Sequence, residues 1–292
     1  MQKYIFSLII IATLALTVLA GCLTAGKTET GTPAKKELAV FAGSASKPPL
    51  DDASIVFEKK TGVKVYLTYG GSGTVLSQME LAKTGDVYIP GSPDYLVKAE
   101  KKQITDPATT KILAYLIPAI CVQPGNPQNI KSLADLTKAG LKVGIGNPDS
   151  VCVGLYAIEI LDSNNLLKSI FPNIVTQATS CDATATLISL KSVDAVMGWS
   201  VFQDWDPQRI ERVLLKPEQL PRLAYIPAAV STFSKDKVLA AQFVDFLVSP
   251  DGQDIFKKWG YNVTEAEARK YAPQAKIGGE YQLPETYKAL VK

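Results

Sequence analysis

Residues 63–89, VKVYLTYGGSGTVLSQMELAKTGDVYI, decide the fold. Residues 63–68 read as a strand, and Gly70-Gly71-Ser72-Gly73-Thr74 breaks it. A helix follows through Val75, Leu76, Met79 and Leu81, and residues 86–89 return as a strand. Strand, small-residue loop, helix, strand is a βαβ rhythm. The chain is therefore predicted to be an α/β protein whose parallel sheet is covered by helices.

The same rhythm extends in both directions. Residues 38–41 form a short apolar run ahead of Ala42-Gly43-Ser44-Ala45-Ser46, and residues 51–60 carry Ile55, Val56 and Phe57 at helical spacing. Residues 112–122 are long and apolar, with Pro118 marking a bend where the strand crosses between domains. Beyond a turn at 123–127 and a short helix at 132–137, residues 141–145 form a strand running into Gly146-Asn147-Pro148-Asp149-Ser150. A helix is expected over 154–161, and a buried strand over 193–197 ends at Gly198-Trp199-Ser200. Residues 224–230 read as a strand and 237–248 as an amphipathic helix. Residues 251–259 stay helical up to Gly260, as a C-cap requires. The tail from Lys270 is expected to wrap the first domain.

The N-terminal end reads as an address. Gln2 and Lys3 precede a nearly unbroken apolar run to Leu19, a secretory leader short for a membrane span. Leu19-Ala20-Gly21-Cys22 resembles a lipobox, which predicts a signal peptide over 1–21 and lipid attachment at Cys22, the alternative being an uncleaved anchor helix. Residues 22–36 then read as a flexible stalk, and the 271 residues left after the leader suffice for two domains. The expected location is extracytoplasmic, lipid-anchored to the cell membrane.

Composition excludes several chemistries. The 31 basic and 28 acidic residues leave a formal charge of +3 without a basic run, which argues against nucleic acid. Histidine is absent, which removes the commonest metal ligand, the usual general base and every Ser-His-Asp arrangement. Cys121, Cys152 and Cys181 lie 31 and 29 residues apart, unlike a metal knuckle, so a structural role is favoured. Two of them pair in an oxidising compartment and one stays free, with the pairing open. Asp149, Asp182 and Asp194 lack metal-loop spacing and read as caps or surface groups. No metal, cofactor or catalytic residue is expected. Asn262-Val263-Thr264 fits the glycosylation sequon.

Three loops share one design. Gly43-Ser44-Ala45-Ser46, Gly71-Ser72-Gly73-Thr74 and Asn147-Pro148-Asp149-Ser150-Val151 each follow a strand and open a helix. Taken singly, such a loop is a turn or an N-cap. Three at successive strand ends, where parallel sheets gather their ligands, point to a binding site. Helix-start amides attract an anion, glycine permits close approach and serine adds a neutral donor. Hydrogen bonds to a charged group contribute roughly 1.5–3 kcal/mol each, so about six or seven offset desolvation of an oxyanion without a counter-cation. Trp199 Nε1–H is a further neutral donor, although a strand-end tryptophan is also a common core filler.

These loops resemble those of the molybdate/tungstate-binding proteins of ABC importers, including their archaeal lipoprotein branch. Val40-Phe41-Ala42-Gly43-Ser44 is similar to the family's first anion loop, with Ser44 in the binding-serine position. Gly71-Ser72-Gly73 is similar to the second, and Gly85-Asp86-Val87-Tyr88-Ile89 to the strand after it. Gly144-Ile145-Gly146-Asn147-Pro148-Asp149-Ser150-Val151 resembles the third, and residues 243–253 resemble a passage common across solute-binding families. Two positions depart from the pattern. Cys152-Val153-Gly154 stands where Pro-Ala-Gly is usual, and Trp199 stands where a tyrosine hydroxyl often lies.

The resemblance implies a two-lobed periplasmic-binding-protein fold of type II, with lobe 1 over 37–118 and 223–292 and lobe 2 over 119–222. Ser44, Ser72 and amides around Ser46, Val151 and Val153, with Trp199, would hold molybdate or tungstate in the interlobe cleft. A monomer anchored at Cys22 would pass the anion to an ABC permease, without catalysis. The rivals are a binder of sulfate, phosphate or an organic anion, an enzyme using Ser44 or Ser72 as nucleophile near Lys47, and a structural surface lipoprotein. Absent histidine argues against the enzyme.

Overall fold

A computed structural model describes residues 36–292. The expected leader, the expected lipid-attachment residue Cys22 and nearly all of the stalk lie outside the described residues. Strands β1 (Glu37–Gly43), β2 (Lys64–Gly70), β3 (Val87–Ile89) and β4 (Lys111–Leu116) enter a first sheet. β5 (Pro118–Val122), β6 (Val143–Gly146), β7 (Ile174–Ala178), β8 (Ala195–Trp199) and β9 (Glu211–Leu214) build a second, ordered β7-β6-β8-β5-β9. The chain then returns, and β10 (Arg222–Val230) and β11 (Lys276–Ile277) complete the first sheet in the order β11-β10-β3-β1-β2, with β4 also paired to β10.

Both sheets are mixed, with the expected parallel pairs at their centres and antiparallel strands added. β2 and β3 flank β1 in parallel, and β7 and β8 flank β6 in parallel, as the βαβ reading requires. β10 runs antiparallel to β3 and β4, and β5 antiparallel to β8 and β9, because these strands border the crossings between sheets. The expected single strand over 112–122 is two strands broken at Ile117, each paired in a different sheet.

The helices cover these sheets: α1 (Lys47–Thr61), α2 (Ser72–Ala82), α3 (Pro93–Lys101), α4 (Cys152–Ser163), α5 (Leu167–Ile170), α6 (Cys181–Ser189), α7 (Phe202–Trp205), α8 (Lys237–Val248), α9 (Pro250–Lys258), α10 (Glu265–Arg269) and α11 (Glu285–Leu290). α1 starts four residues before the expected 51, because prolines suit a first turn whose N–H groups have no intrahelical acceptor. It stops at Gly62, where φ is 73° and the N–H bonds Glu58 O at 2.8 Å. Leu38, Val40 and Ala42 of β1 are buried in alternation, and Phe57 meets Phe243 edge-on at 5.1 Å. α4 is buried from Cys152 to Leu161, which fits its unbroken apolar sequence. The expected helix at 132–137 is a 3-10 segment, Leu133–Thr137.

The tail divides. β11 pairs with β10 and α10 packs near β4, but α11 rests on the second-sheet side. There Tyr287 meets Phe171 edge-on at 6.2 Å, and Thr286 Oγ1 donates to Asp162 Oδ1 at 2.9 Å. The expectation that the whole tail wraps the first domain therefore fails for the last helix, which buries Tyr287 against α5. No described helix is long and apolar enough to cross a membrane.

One contact fixes how α4 meets its sheet. A Cβ at Gly154 would lie 2.0 Å from Gly146 O and 2.4 Å from Gly146 C, both backbone atoms that cannot turn aside. Gly154→Ala is expected to lower stability by about 1–3 kcal/mol through overpacking. Urea unfolding checks this, and an unchanged midpoint would mean that α4 lifts off β6 at no cost.

Candidate functional site

Four loops converge where the two sheets face each other. Gly43 ends β1 and leads into the 3-10 turn Ser44–Ser46, and Gly71 leads from β2 into α2. From the second sheet, residues 147–151 link β6 to α4, and Thr179-Ser180 link β7 to α6. The first three helix starts have no capping side chain and no acidic residue in their first turn. Their amides therefore keep an uncompensated positive end. α6 differs, with Ser180 accepting from Ala183 N and Asp182 in its first turn.

The lobes touch through these loops. Ser44 Oγ accepts from Asp182 N at 3.2 Å, and Gly73 N donates to Ser150 O at 2.9 Å. Ser72 Oγ accepts from Gly91 N at 3.0 Å, and Tyr88 OH donates to Ser72 O at 2.8 Å. Ser44 is 0% exposed and Ser72 1%, so both hydroxyls sit out of water without a charged partner. Glycine makes the approach possible. A Cβ at Gly71 would stand 2.8 Å from Ser150 O and 2.9 Å from Thr179 O. One at Gly91 would stand 2.5 Å from Cys152 Sγ and 2.7 Å from Ala45 Cβ.

The remaining expected residues divide into two groups. Val153 and Trp199 lie at the Cys181 thiol, next to the Asp182 amide that reaches Ser44. Burial raises the pKa of that thiol well above the ordinary value, while the Val153 amide and the Trp199 indole pull it down. Trp199 is fully buried, and its Nε1–H makes no hydrogen bond within bonding distance. Its ring meets Tyr156 edge-on at 5.2 Å, and the Tyr156 hydroxyl likewise lacks a partner. At Ser46 and Val151 one group each is already engaged, the hydroxyl of the first and the amide of the second. Ser46 Oγ donates to Gly43 O at 3.2 Å, and Val151 N donates to Asn147 O at 2.8 Å. That amide closes the turn at Asn147-Pro148-Asp149-Ser150.

Sequence reasoning missed the Asp182 amide and Gly91. Asp182 was read as a cap or surface group, yet its backbone N–H reaches Ser44. The signal was available, since Thr179-Ser180-Cys181 follows the same strand, hydroxyl, helix rule once 174–178 is read as a strand. Beside this first turn of α6 opens a cavity of about 270 Å³, lined by Lys47, Pro48, Asp51, Asp52, Asp182, Trp205 and Trp259.

A buried ion cluster spans the two sheets behind the loops. Arg222 of β10 donates through Nη1 to Asp94 Oδ1 of α3 at 2.9 Å and through Nη2 to Glu159 Oε2 of α4 at 2.7 Å. Its Nε reaches both Glu159 oxygens, at 3.1 and 3.0 Å, and its guanidinium lies over the Tyr156 ring at 4.3 Å. Burial raises the Glu159 pKa, and the Arg222 hydrogen bond lowers it. Among the described residues, no group of three or more Cys, Asp or Glu is placed to hold a metal ion.

Neutral hydroxyls and helix-start amides gathered in this way are groups able to donate to an anion. Lys47, three residues from Ser44, pairs with Asp51 at 3.0 Å. Comparison with known proteins agrees with the fold. The family described as "Bacterial extracellular solute-binding protein" matches residues 38–262. A Haemophilus influenzae protein described only as a binding protein is 27% identical over 226 residues, 77% of this chain and 90% of that one. The Escherichia coli molybdate-binding protein ModA is 24% identical over 233 residues, 78% of this chain and 89% of that one. Among solved structures, the Azotobacter vinelandii periplasmic molybdate-binding protein matches with a TM-score of 0.70 at 18% identity, covering 78% of this chain and all of that one. The sulfate-binding protein SubI of Mycobacterium tuberculosis also gives 0.70 at 18% identity, covering 83% and 94%.

Proposed function

Because this chain belongs to the bacterial extracellular solute-binding protein family, we propose that it captures a tetrahedral oxyanion of the molybdate or tungstate type and delivers it to the permease of an ABC importer. Cys22 would carry the lipid that keeps it at the membrane, and it would work as a monomer. The observation that carries this reading is the meeting of two buried serine hydroxyls with three uncapped helix starts at one point between the lobes. An anion entering there replaces the contacts that Ser44 now makes with Asp182 and takes both donors for itself. The Trp199 indole, which stands beside the Cys181 thiol at the start of α6, is a further neutral donor. Ligand binding shifts molecules toward the closed state, and no covalent step is involved.

A sulfate or phosphate binder is the second reading, favoured by the likeness to a sulfate-binding protein of equal TM-score. Calorimetric titration with molybdate, tungstate, sulfate and phosphate separates the two. Tight one-to-one binding of molybdate or tungstate, with the others far weaker, supports the first reading, and the reverse order supports the second. Silence from all four would remove the oxyanion reading.

The individual serines make a sharper test. Ser44→Ala removes a hydrogen bond to a charged ligand worth roughly 1.5–3 kcal/mol, so affinity is expected to fall about ten- to hundredfold. Ser46→Ala is expected to leave affinity within a factor of about two, since its hydroxyl is spent on Gly43 O. Equal losses from both would contradict the assignment.

A further inference from the structure

Cys152 and Cys181 open α4 and α6, the two helices whose first turns face the serine loops from the second sheet. Their sulfurs stand 3.4 Å apart, and both are buried as free thiols. The pair forms part of the wall of the site. Cys152 Sγ crowds the open side of Gly91, whose missing Cβ would also lie 3.6 Å from Ser72 Oγ. Cys181 immediately precedes the amide that reaches Ser44. Cys121 stands apart on β5, where its thiol donates to Trp199 O at 3.5 Å and burial pushes its pKa up to about 12.

We propose that Cys152 and Cys181 form a disulfide that ties the first turns of α4 and α6 into one rigid donor unit, leaving Cys121 as a thiol. The bridge stands on geometry alone, and its effect on affinity rests on the oxyanion reading above. Closing the sulfurs from 3.4 Å to a bond of about 2.05 Å takes small side-chain rotations. An extracytoplasmic protein works where disulfides persist.

The oxidant is a small-molecule disulfide. One cysteine thiolate attacks a sulfur of it, breaking its S–S bond, releasing one small thiol and leaving a mixed disulfide. The second cysteine thiolate displaces the other small thiol. Two electrons pass to the oxidant, and the two cysteine protons end on the released thiols. At 1% and 2% exposure the closed molecule shields both sulfurs, so exchange runs through the open molecule. Once formed, the bridge fixes the Val153 and Asp182 amides relative to each other, and preset donors bind more tightly.

The test uses full-length protein exposed to oxidised glutathione, then denatured, alkylated and peptide-mapped. A Cys152–Cys181 cross-linked peptide with Cys121 alkylated is expected, and no such link in Cys152→Ser. Recovery of both cysteines alkylated, or a bridge running to Cys121, overturns the proposal. If Cys152→Ser does not fold, dithiothreitol-reduced parent protein is the unbridged control. Titration of bridged and reduced protein with molybdate and tungstate is expected to show several-fold tighter binding by the bridged form, and equal affinities overturn the preset-donor claim. If neither form binds, the oxyanion reading falls while the mapped bridge stands, and a raised urea midpoint on oxidation reports its tie.

Discussion

Arg222→Met lowers the stability of the fold by about 3–5 kcal/mol near neutral pH, the cost of leaving buried carboxylates without their cation. Arg222 is 4% exposed and Asp94 fully buried, so water cannot replace the lost partner. Methionine fills much of the volume and supplies none of the hydrogen bonds to Glu159, Asp94 and Gly279 O. The loss depends on pH. Burial raises the Glu159 pKa and Arg222 opposes it, so removing Arg222 raises that pKa further. A carboxyl with a raised folded pKa favours folding while protonated and loses that advantage as pH climbs through the folded value. The gap between variant and parent is therefore widest at neutral pH and narrows toward the ordinary carboxylate range. Urea unfolding at about pH 7.5 and about pH 5 measures it. A gap equal at both, or below about 1 kcal/mol, would mean that the cluster contributes little to the fold.

Gly71→Ala acts on binding instead. The added methyl group would meet Ser150 O and Thr179 O, two backbone oxygens of the opposite lobe, at 2.8 and 2.9 Å. Neither can rotate away, so the lobes must part to admit it. Overpacking of this kind costs about 1–3 kcal/mol, and here it falls on the closed state alone. Ligand affinity is expected to drop by about five- to 150-fold, with the unfolding midpoint of the ligand-free protein unchanged. A fall in stability of the same size would place the clash inside one lobe. Unchanged affinity would show that the loops do not close on the ligand.

What the sequence disclosed follows from distance along the chain. The βαβ unit at 63–89 was legible because its period, its glycine-serine break and its returning strand all lie within one short window. Ser44 and Ser72 were legible for the same reason, each being set by the loop it occupies. Asp182 and Gly91 were not, because their value comes from what stands opposite, Ser44 in one case and Cys152 in the other. The Val151 amide closes a turn onto Asn147, a local bond that residue type does not announce. The run at 112–122 looks like one strand because its partners, β8 and β10, arrive about eighty and about one hundred residues later. Pro118 marked the break, yet only those partners assign its two halves to different sheets.

The position of β10 governs the order in which this chain can fold. It lies between β11 and β3 and also holds β4, yet it follows every strand of the second sheet in sequence. A chain emerging from its N-terminus therefore carries β3 and β4 with open edges until residue 230 has appeared. The second sheet, drawn from the continuous segment 118–214, waits for nothing outside itself. Contacts that span so much chain form slowly, and unfinished strand edges invite pairing with other chains. The expected folding intermediate has the second sheet assembled and the first incomplete, and amides of β5 and β8 gain protection from hydrogen exchange before those of β4 and β10.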